Sequence, residues 1–418
     1  MKNNIGNVRG MRDLLDTDSR TKNDIEVVAR YLANKYGYQE INTPIVEYTS
    51  VFNKSLGESS EIISKEMYNF EDEKGRSLSL RPEATAGIAR AIVSNGLLGS
   101  GEYRIPLKFF LFGPMFRYER PQKGRYRQFY QINFESFSNL SPENDVELIS
   151  LANNFLKLSK ISTSLVINSL GDKKTRSNFK DELVLYLNKF KNDLTEDSKK
   201  RLKINPLRIL DTKNNNDLKI ISGAPKMINF LSKSSKDYYN SVKKLLNDLG
   251  IKFKEDSNLV RGLDYYKETV FEFKTDKLGQ QQDTVLGGGR YSGLVKMFGG
   301  SDVEGVGWAS GTDRLIEISE KNNKVIPKVS IVYDEQYRKN AFLLSDKLRN
   351  EKKIKGYVDI NFDISANKQL KKANKINSEN IIFIEDTNRV KISNRKSKKD
   401  NFFSFDEIDK IINFLDGY

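Results

Sequence analysis

The sequence predicts an α+β protein: an antiparallel sheet with flanking helices, interrupted by a helical insertion and followed by a small α/β domain. Three observations predict it. The aromatic-rich segments FFLFGPMFRYER and RQFYQINFESF are joined by the basic PQKGRY and read as a long antiparallel hairpin. From about 171 to 257 the chain turns to Lys/Asn/Asp-rich helices with loops such as DTKNNND, and the glycine-rich strand signals on either side disappear. After Pro327 strands alternate with helices, the pattern of a parallel or mostly parallel sheet.

Taken in order, Ile25, Val28, Ala29, Leu32 and Tyr36 recur at helical spacing, and Gly37 stops that helix before an extended segment, YQEINTPIVE. Pro44 lies in that strand, which suits an edge or an interface. SLRPEATAGIARA runs a strand into a helix and places Arg81, Glu83 and Thr85 at alternate positions, able to point to one side. A further apolar helix covers residues 143 to 158. LVRGLDYYKETVFEF sets Arg261, Asp264, Tyr265 and Tyr266 around a glycine before another aromatic strand. LGGGRYSGLVKMFGG and GVGWASGTDRL add glycines that permit close approach of backbone to ligand, followed by Arg290, Tyr291 and Arg314. The C-terminal alternation is SIVY, a helix through Ala341 and Leu348, YVDI, a helix through Leu370 and Ala373, IIFI and a final helix. The expected domains are 1–170 and 258–325, forming one core, with the insertion 171–257 between them and the α/β unit 326–418 after them.

A chain of 418 residues with 38% hydrophobic residues can bury a core in more than one domain. No run of about 18 apolar residues occurs, and the start MKNNIGNVRGMRD lacks a secretion signal, so no membrane association and a cytoplasmic location are expected. The chain has no cysteine and no histidine, which excludes disulfides, thiol nucleophiles and the usual zinc sites. Chemistry must run on carboxylates, Tyr, Lys, Arg and bound Mg²⁺. The net charge of +14 favours a polyanionic partner, although a Lys/Asn-rich composition would give the same charge without one.

Side chains alternate along a strand, so Arg117 and Glu119 share a face, as do Phe129, Gln131, Asn133 and Glu135 on the partner strand. Polar groups amid so many aromatics are costly to bury unless they pair with one another or with a ligand. The bland alternative is a solvent-exposed face with cross-strand ion pairs.

Together these segments resemble the class II aminoacyl-tRNA synthetases and, within them, the histidyl-tRNA synthetases. The helix and strand ending at Pro44, FRYERPQKGRYRQFYQINFE and GWASGTDRL look like the three class motifs. RGLDYY and GGGRYSGL are similar to the two peptides that distinguish the histidine enzyme. The resemblance covers nearly the whole chain, with 171–257 similar to the family's helical insertion and 326–418 to its anticodon-binding domain.

It implies ATP-dependent activation of L-histidine to histidyl-adenylate and transfer to tRNA(His), with Mg²⁺ arriving on ATP, no DNA partner, and a homodimer built through the Pro44 region. Position by position, it implies that Arg117 holds the α-phosphate and that Phe129 and Arg314 sandwich adenine, with Glu119 and Arg125 also on ATP. Arg261 contacts the α-phosphate and the substrate carboxylate, so Arg261 and Arg117 are the catalytic cations. Glu83, Thr85 and Gln131 receive the α-ammonium, Glu135 and Tyr266 bond the two imidazole nitrogens, and Tyr265 and Tyr291 form the pocket walls. Arg120 and Gln122 are placed to touch the acceptor end of tRNA.

The chain departs from the family pattern in Met11 for threonine, Tyr130 for histidine, Ser292 for aspartate, and Thr312 and Asp313 for Leu-Glu. None removes a group assigned to catalysis, and alternation puts the Tyr130 ring on the face opposite Gln131. The competing expectations are a catalytically silent paralogue serving as a regulatory subunit, and a tRNA-sensing module. The first should lack the C-terminal domain and an intact RGLDYY, and the second should lose phosphate-contacting arginines.

Overall fold

The structure, a computed structural model, describes residues 5–57, 60, 62–98, 105–262, 265–279, 283–320 and 326–417. The chain divides into two compact units, Met1–Glu320 and Lys321–Tyr418.

The first unit opens with α1 (Asp16–Tyr36), whose buried Ile25, Ala29 and Leu32 form its inner stripe. Gly37 (φ 71°) ends it in the left-handed conformation that glycine tolerates. The extended segment around Pro44 is not one strand, as expected, but two short ones. Strand β1 (Gln39–Glu40) pairs with the main sheet, and β2 (Val46–Tyr48) joins a separate three-stranded sheet. Pro44 sits between them, where its missing N–H costs no ladder bond. Arg81 fixes the crossing, donating from Nη1 to Thr43 O (2.8 Å), while its own N–H donates to Ile45 O (2.9 Å).

Next come α2 (Thr49–Leu56), then β3 (Tyr68–Glu71) and β4 (Ser77–Leu80), which complete the small sheet, and α3 (Thr85–Ser94). Strands β5 (Leu107–Phe116) and β6 (Gln128–Ser138) form the expected hairpin, in register from Leu107 opposite Phe137 to Phe116 opposite Gln128. After it runs α4 (Pro142–Leu158), started by Pro142 and capped by Ser141 accepting from Glu143 N.

Strand β7 (Ser164–Ser169) leads into the helical segment: α5 (Lys173–Asn188), α6 (Glu196–Ile204), α7 (Asn215–Ser222) and α8 (Lys233–Asp248), with β8 (Phe253–Glu255) following. The C-terminal end of the expected insertion, 171–257, packs on the core. Helix α8 buries Tyr239, Val242 and Leu246 in the same cluster as α1 and α4, and β8 pairs with β7 at the edge of the main sheet.

Strands β9 (Tyr266–Lys274) and β10 (Thr284–Tyr291), the short α9 (Leu294–Met297), β11 (Glu304–Gly311) and α10 (Thr312–Ile318) complete the unit. The main sheet has eight strands in the order β1-β5-β6-β11-β10-β9-β7-β8, antiparallel except at its two ends. One face packs Phe134, Phe271, Phe273 and Trp308 against α1, α4 and α8, and Trp308 lies between Phe134 (4.7 Å) and Phe155 (5.6 Å).

Arg290, grouped by sequence with the ligand-facing residues, points into this packed side. It is fully buried and pairs with the equally buried Asp145 of α4 (2.6 Å), which also accepts from the Tyr238 hydroxyl (2.9 Å). Arg290 is therefore part of the frame. Asp145→Ala leaves a buried guanidinium without its main partner, and we expect a loss of about 3–5 kcal/mol in urea unfolding. A loss below about 1 kcal/mol, the scale of an exposed pair, would contradict this placement.

The second unit holds β12 (Val329–Tyr333), α11 (Arg338–Asn350), β13 (Val358–Asp359), α12 (Ala366–Lys375), β14 (Asn380–Ile384), β15 (Arg389–Asn394), β16 (Asp400–Ser404) and α13 (Ile408–Asp416). Its sheet order is β13-β12-β14-β15-β16. The first three strands are parallel, as the alternation predicted, and the β15–β16 hairpin adds antiparallel pairs that the sequence reading passed over.

Candidate active site

The open face of the main sheet carries the site, and the strand registers dictate its floor. On β6, Phe129, Gln131, Asn133 and Glu135 point to this face. Opposite the last three, β11 places Gly311, Ala309 and Gly307, and opposite these β10 places Gly287 and Gly289. A row of residues with almost no side chain thus leaves a trough between the walls. Glycine is required there by close approach: a Cβ at Gly307 would lie 1.7 Å from a Glu135 carboxylate oxygen, and one at Gly287 would lie 2.5 Å from Arg261 Nη1.

Above this floor is a cavity of about 320 Å³ that brings together Glu83, Thr85, Arg117, Glu119, Arg125, Phe129, Gln131, Arg261, Tyr265, Tyr266 and Arg314. These are eleven of the expected site residues, drawn from four separate parts of the sequence. Glu135 and Tyr291 lie on the same face, next to the cavity lining and bonded to it through Thr85. Thr85 Oγ1 donates to Glu135 Oε1 (2.6 Å), and the Tyr291 hydroxyl donates to Glu135 Oε2 (2.7 Å). Arg120 and Gln122 are exposed on the hairpin loop, outside the cavity. Asp264 lies outside the described residues.

Arg81 is a correction to the expectation that it shares a side with Glu83 and Thr85. Its guanidinium turns away, with Nε donating to Pro114 O (2.9 Å), because the strand ends at Leu80 and strict alternation stops there. Glu83 does face the cavity, and it also starts α3, accepting from the N–H groups of Thr85 (2.7 Å) and Ala86 (2.8 Å).

The electrostatics are uneven along the trough. Burial pushes the Glu135 carboxyl up to about 8, against the lowering effect of the Thr85 and Tyr291 hydroxyls. Burial also raises Glu83, opposed by its two backbone donors. At the other end burial, with Arg125 and Arg117 close by, brings Arg314 down to about 10. Arg261 is held above its ordinary value: burial opposes its charge, and the ion pair with Glu272 outweighs that. The Arg117 guanidinium sits over the Phe129 ring at 5.4 Å, a cation beside an aromatic platform.

Several polar atoms have no protein partner among the described residues: Gln131 Oε1, both polar atoms of the Asn133 side chain, and Arg261 Nε. Buried groups left this way on a cavity floor are what a polar ligand would satisfy. Asn133 lies on the face that strand alternation predicts and adds two polar groups to the floor that the resemblance does not assign. Glu272 also lines the cavity and could have been found by alternation from Val270. Asp211 and Lys213, which line it from the DTKNNND loop, carry no local signal, because only the tertiary fold brings that loop over the sheet. The Tyr130 ring is on the opposite face, stacked on Phe112 at 5.6 Å.

A family model described as histidyl-tRNA synthetase matches residues 10–171. Over 415 residues the chain is 40% identical to the histidine--tRNA ligase of Rickettsia bellii (strain RML369-C), covering 97% of this chain and 98% of that one. The chain belongs to the histidyl-tRNA synthetase family. The apo Staphylococcus aureus histidyl-tRNA synthetase, a solved structure, shares 30% identity and the fold with a TM-score of 0.79, over 99% of this chain and 100% of that chain. A Bacillus halodurans C structure titled ATP phosphoribosyltransferase regulatory subunit/histidyl-tRNA synthetase is 22% identical with a TM-score of 0.64, over 90% of this chain and 96% of that one, and shares the fold alone. The family match thus carries through the C-terminal unit, the part that a silent paralogue is expected to lack.

Proposed function

We propose that the protein activates L-histidine with ATP and transfers the histidyl group to tRNA(His). The observation that carries this reading is the trough itself, with a buried carboxylate and tyrosines at one end and, at the other, four arginines that share the two carboxylates Glu119 and Glu272. The imidazole end is assigned to Glu135 and Tyr266, which can bond the two ring nitrogens, with Tyr265 and Tyr291 as walls. Glu83, Thr85 and Gln131 receive the α-ammonium. Phe129 and Arg314 enclose adenine, Glu119 and Arg125 flank it, and Arg117 and Arg261 meet the α-phosphate.

Activation requires a histidine carboxylate oxygen to attack the α-phosphorus while the bond to pyrophosphate breaks. Both reactants are anions, so the protein's contribution is neutralisation and alignment by fixed guanidinium groups. Arg261 is suited to this because its pairing with Glu272 holds it in place before substrate arrives. In the second step a hydroxyl of the terminal ribose attacks the carbonyl carbon and AMP leaves. Mg²⁺ bound to the triphosphate would neutralise the departing charge.

The exposed Ile45, Val46, Tyr48 and Phe70 form an apolar surface around the Pro44 region. This supports assembly as a homodimer there. No described helix is long and apolar enough to cross a membrane. Charging of tRNA(His) with labelled histidine, with and without Mg²⁺, tests the complete reading. Charging that needs both ATP and Mg²⁺ is expected, and pyrophosphate exchange without charging would overturn the transfer half.

A further inference from the structure

We infer that Arg12 is a positioning residue for the ATP half of the pocket, acting through Asp313 and Tyr126. The inference rests on the functional reading above. Arg12 belongs to the N-terminal peptide VRGMRD and lies outside the cavity lining. Its guanidinium donates to Asp313 Oδ1 from Nε (3.2 Å) and Nη2 (2.8 Å), and it stacks over the Tyr126 ring at 4.3 Å. Asp313 is 4% exposed, and its second oxygen accepts from Tyr130 N (3.1 Å). One carboxylate therefore ties three pieces together: α10, which carries Arg314; β6, which carries Phe129 and Gln131; and the N-terminal peptide.

The rest of that peptide grips the hairpin loop. Arg127 N donates to Gly10 O (2.7 Å), and Arg127 Nη1 donates to Arg9 O (3.4 Å). Gly10 is in the left-handed region (φ 85°), and a Cβ there would lie 2.8 Å from the Pro121 ring. Arg12 also pairs with Asp18 (3.2 Å), which anchors it to the start of α1. The residues it holds, Tyr126 and Asp313, line the cavity beside Arg314 and Arg125, whereas Glu83, Thr85, Tyr265 and Tyr266 of the histidine end lie on elements that Asp313 does not tie, and Gln131 and Glu135 lie further along β6 than the Tyr130 contact. Loss of Arg12 should thus loosen ATP and leave histidine alone. The family's usual glutamate at 313 is here one methylene shorter, and the long arginine reaches the shortened carboxylate from outside the pocket.

The test is steady-state pyrophosphate exchange with ATP and histidine varied in turn. Arg12→Ala should raise KM for ATP about tenfold, the scale of a lost charge-assisted pair, with KM for histidine changed by less than about twofold. Arg12→Lys should recover part of the loss, because an ammonium keeps the charge but not the planar fork. Asp313→Asn should raise KM for ATP similarly, and the double substitution Arg12→Ala/Asp313→Asn should be no worse than the larger single effect. Equal changes in both KM values, no change in either, or additive effects would overturn the inference. Absence of exchange in the unsubstituted protein would instead overturn the functional reading.

Discussion

Arg261→Ala is expected to lower histidine-dependent pyrophosphate exchange by about 10²–10³, the range seen when one preorganised donor to developing charge is removed. The physical reason lies in the restraints on this side chain. Its guanidinium pairs with Glu272, lies 5.6 Å from the Tyr266 ring centre and rests against the bare backbone of Gly287. It therefore needs no reorganisation to meet an α-phosphate. The loss should fall on kcat at saturating ATP, because Arg117, Arg125 and Arg314 remain to bind the nucleotide. Arg261→Lys should recover little, since one ammonium cannot serve Glu272 and a phosphate with the same geometry. Exchange within about threefold of the unsubstituted protein would remove Arg261 from the mechanism.

Glu135→Gln should raise KM for histidine roughly ten- to hundredfold, the scale of losing a hydrogen bond to a charged group in a dry site. The substitution keeps the side chain's size under Gly307 and removes its charge. It carries a second signature in the empty protein. The Glu135 carboxyl has an ordinary value of 4.5 and is raised to about 8 in the fold, so the folded state holds a proton that the unfolded state has released. Stability from this group is therefore present at low pH and falls as pH rises from about 4.5 through 8. Melting temperatures of the two proteins should be close near pH 5, with the unsubstituted protein losing ground to Glu135→Gln by pH 8.5. Parallel melting profiles would show that Glu135 is not held protonated.

Much of the site could be read from strand alternation and glycine placement. Period-two spacing put Phe129, Gln131, Asn133 and Glu135 on one face, and the register of β6 against β11 keeps them there. Legibility ends where strand alternation stops. Arg81 sits just past the end of β4, so its spacing from Glu83 carried no facing information. Arg290 adjoins Tyr291, and alternation alone would have put it on the packed side. Pro44 splits one expected strand between two sheets, because it cannot donate to a ladder and the chain crosses over at that point. In RVKISN the buried Val390, Ile392 and Asn394 do alternate, but the Lys-rich turn that follows obscured the β15–β16 hairpin. The contribution of Asp211 and Lys213 was illegible for a different reason. Asp217 is fully buried and accepts from Thr195, Ser198 and Thr212, and so holds the loop rigid. Which wall that loop faces is set only by the packing of the whole helical segment.

The central claim is that one trough binds histidine at its carboxylate end and ATP at its arginine end. Amino-acid-dependent exchange of pyrophosphate into ATP, run with each of the twenty amino acids in turn, tests it most directly. Exchange with histidine alone is the predicted result, and exchange with none, or equally with another amino acid, would contradict it.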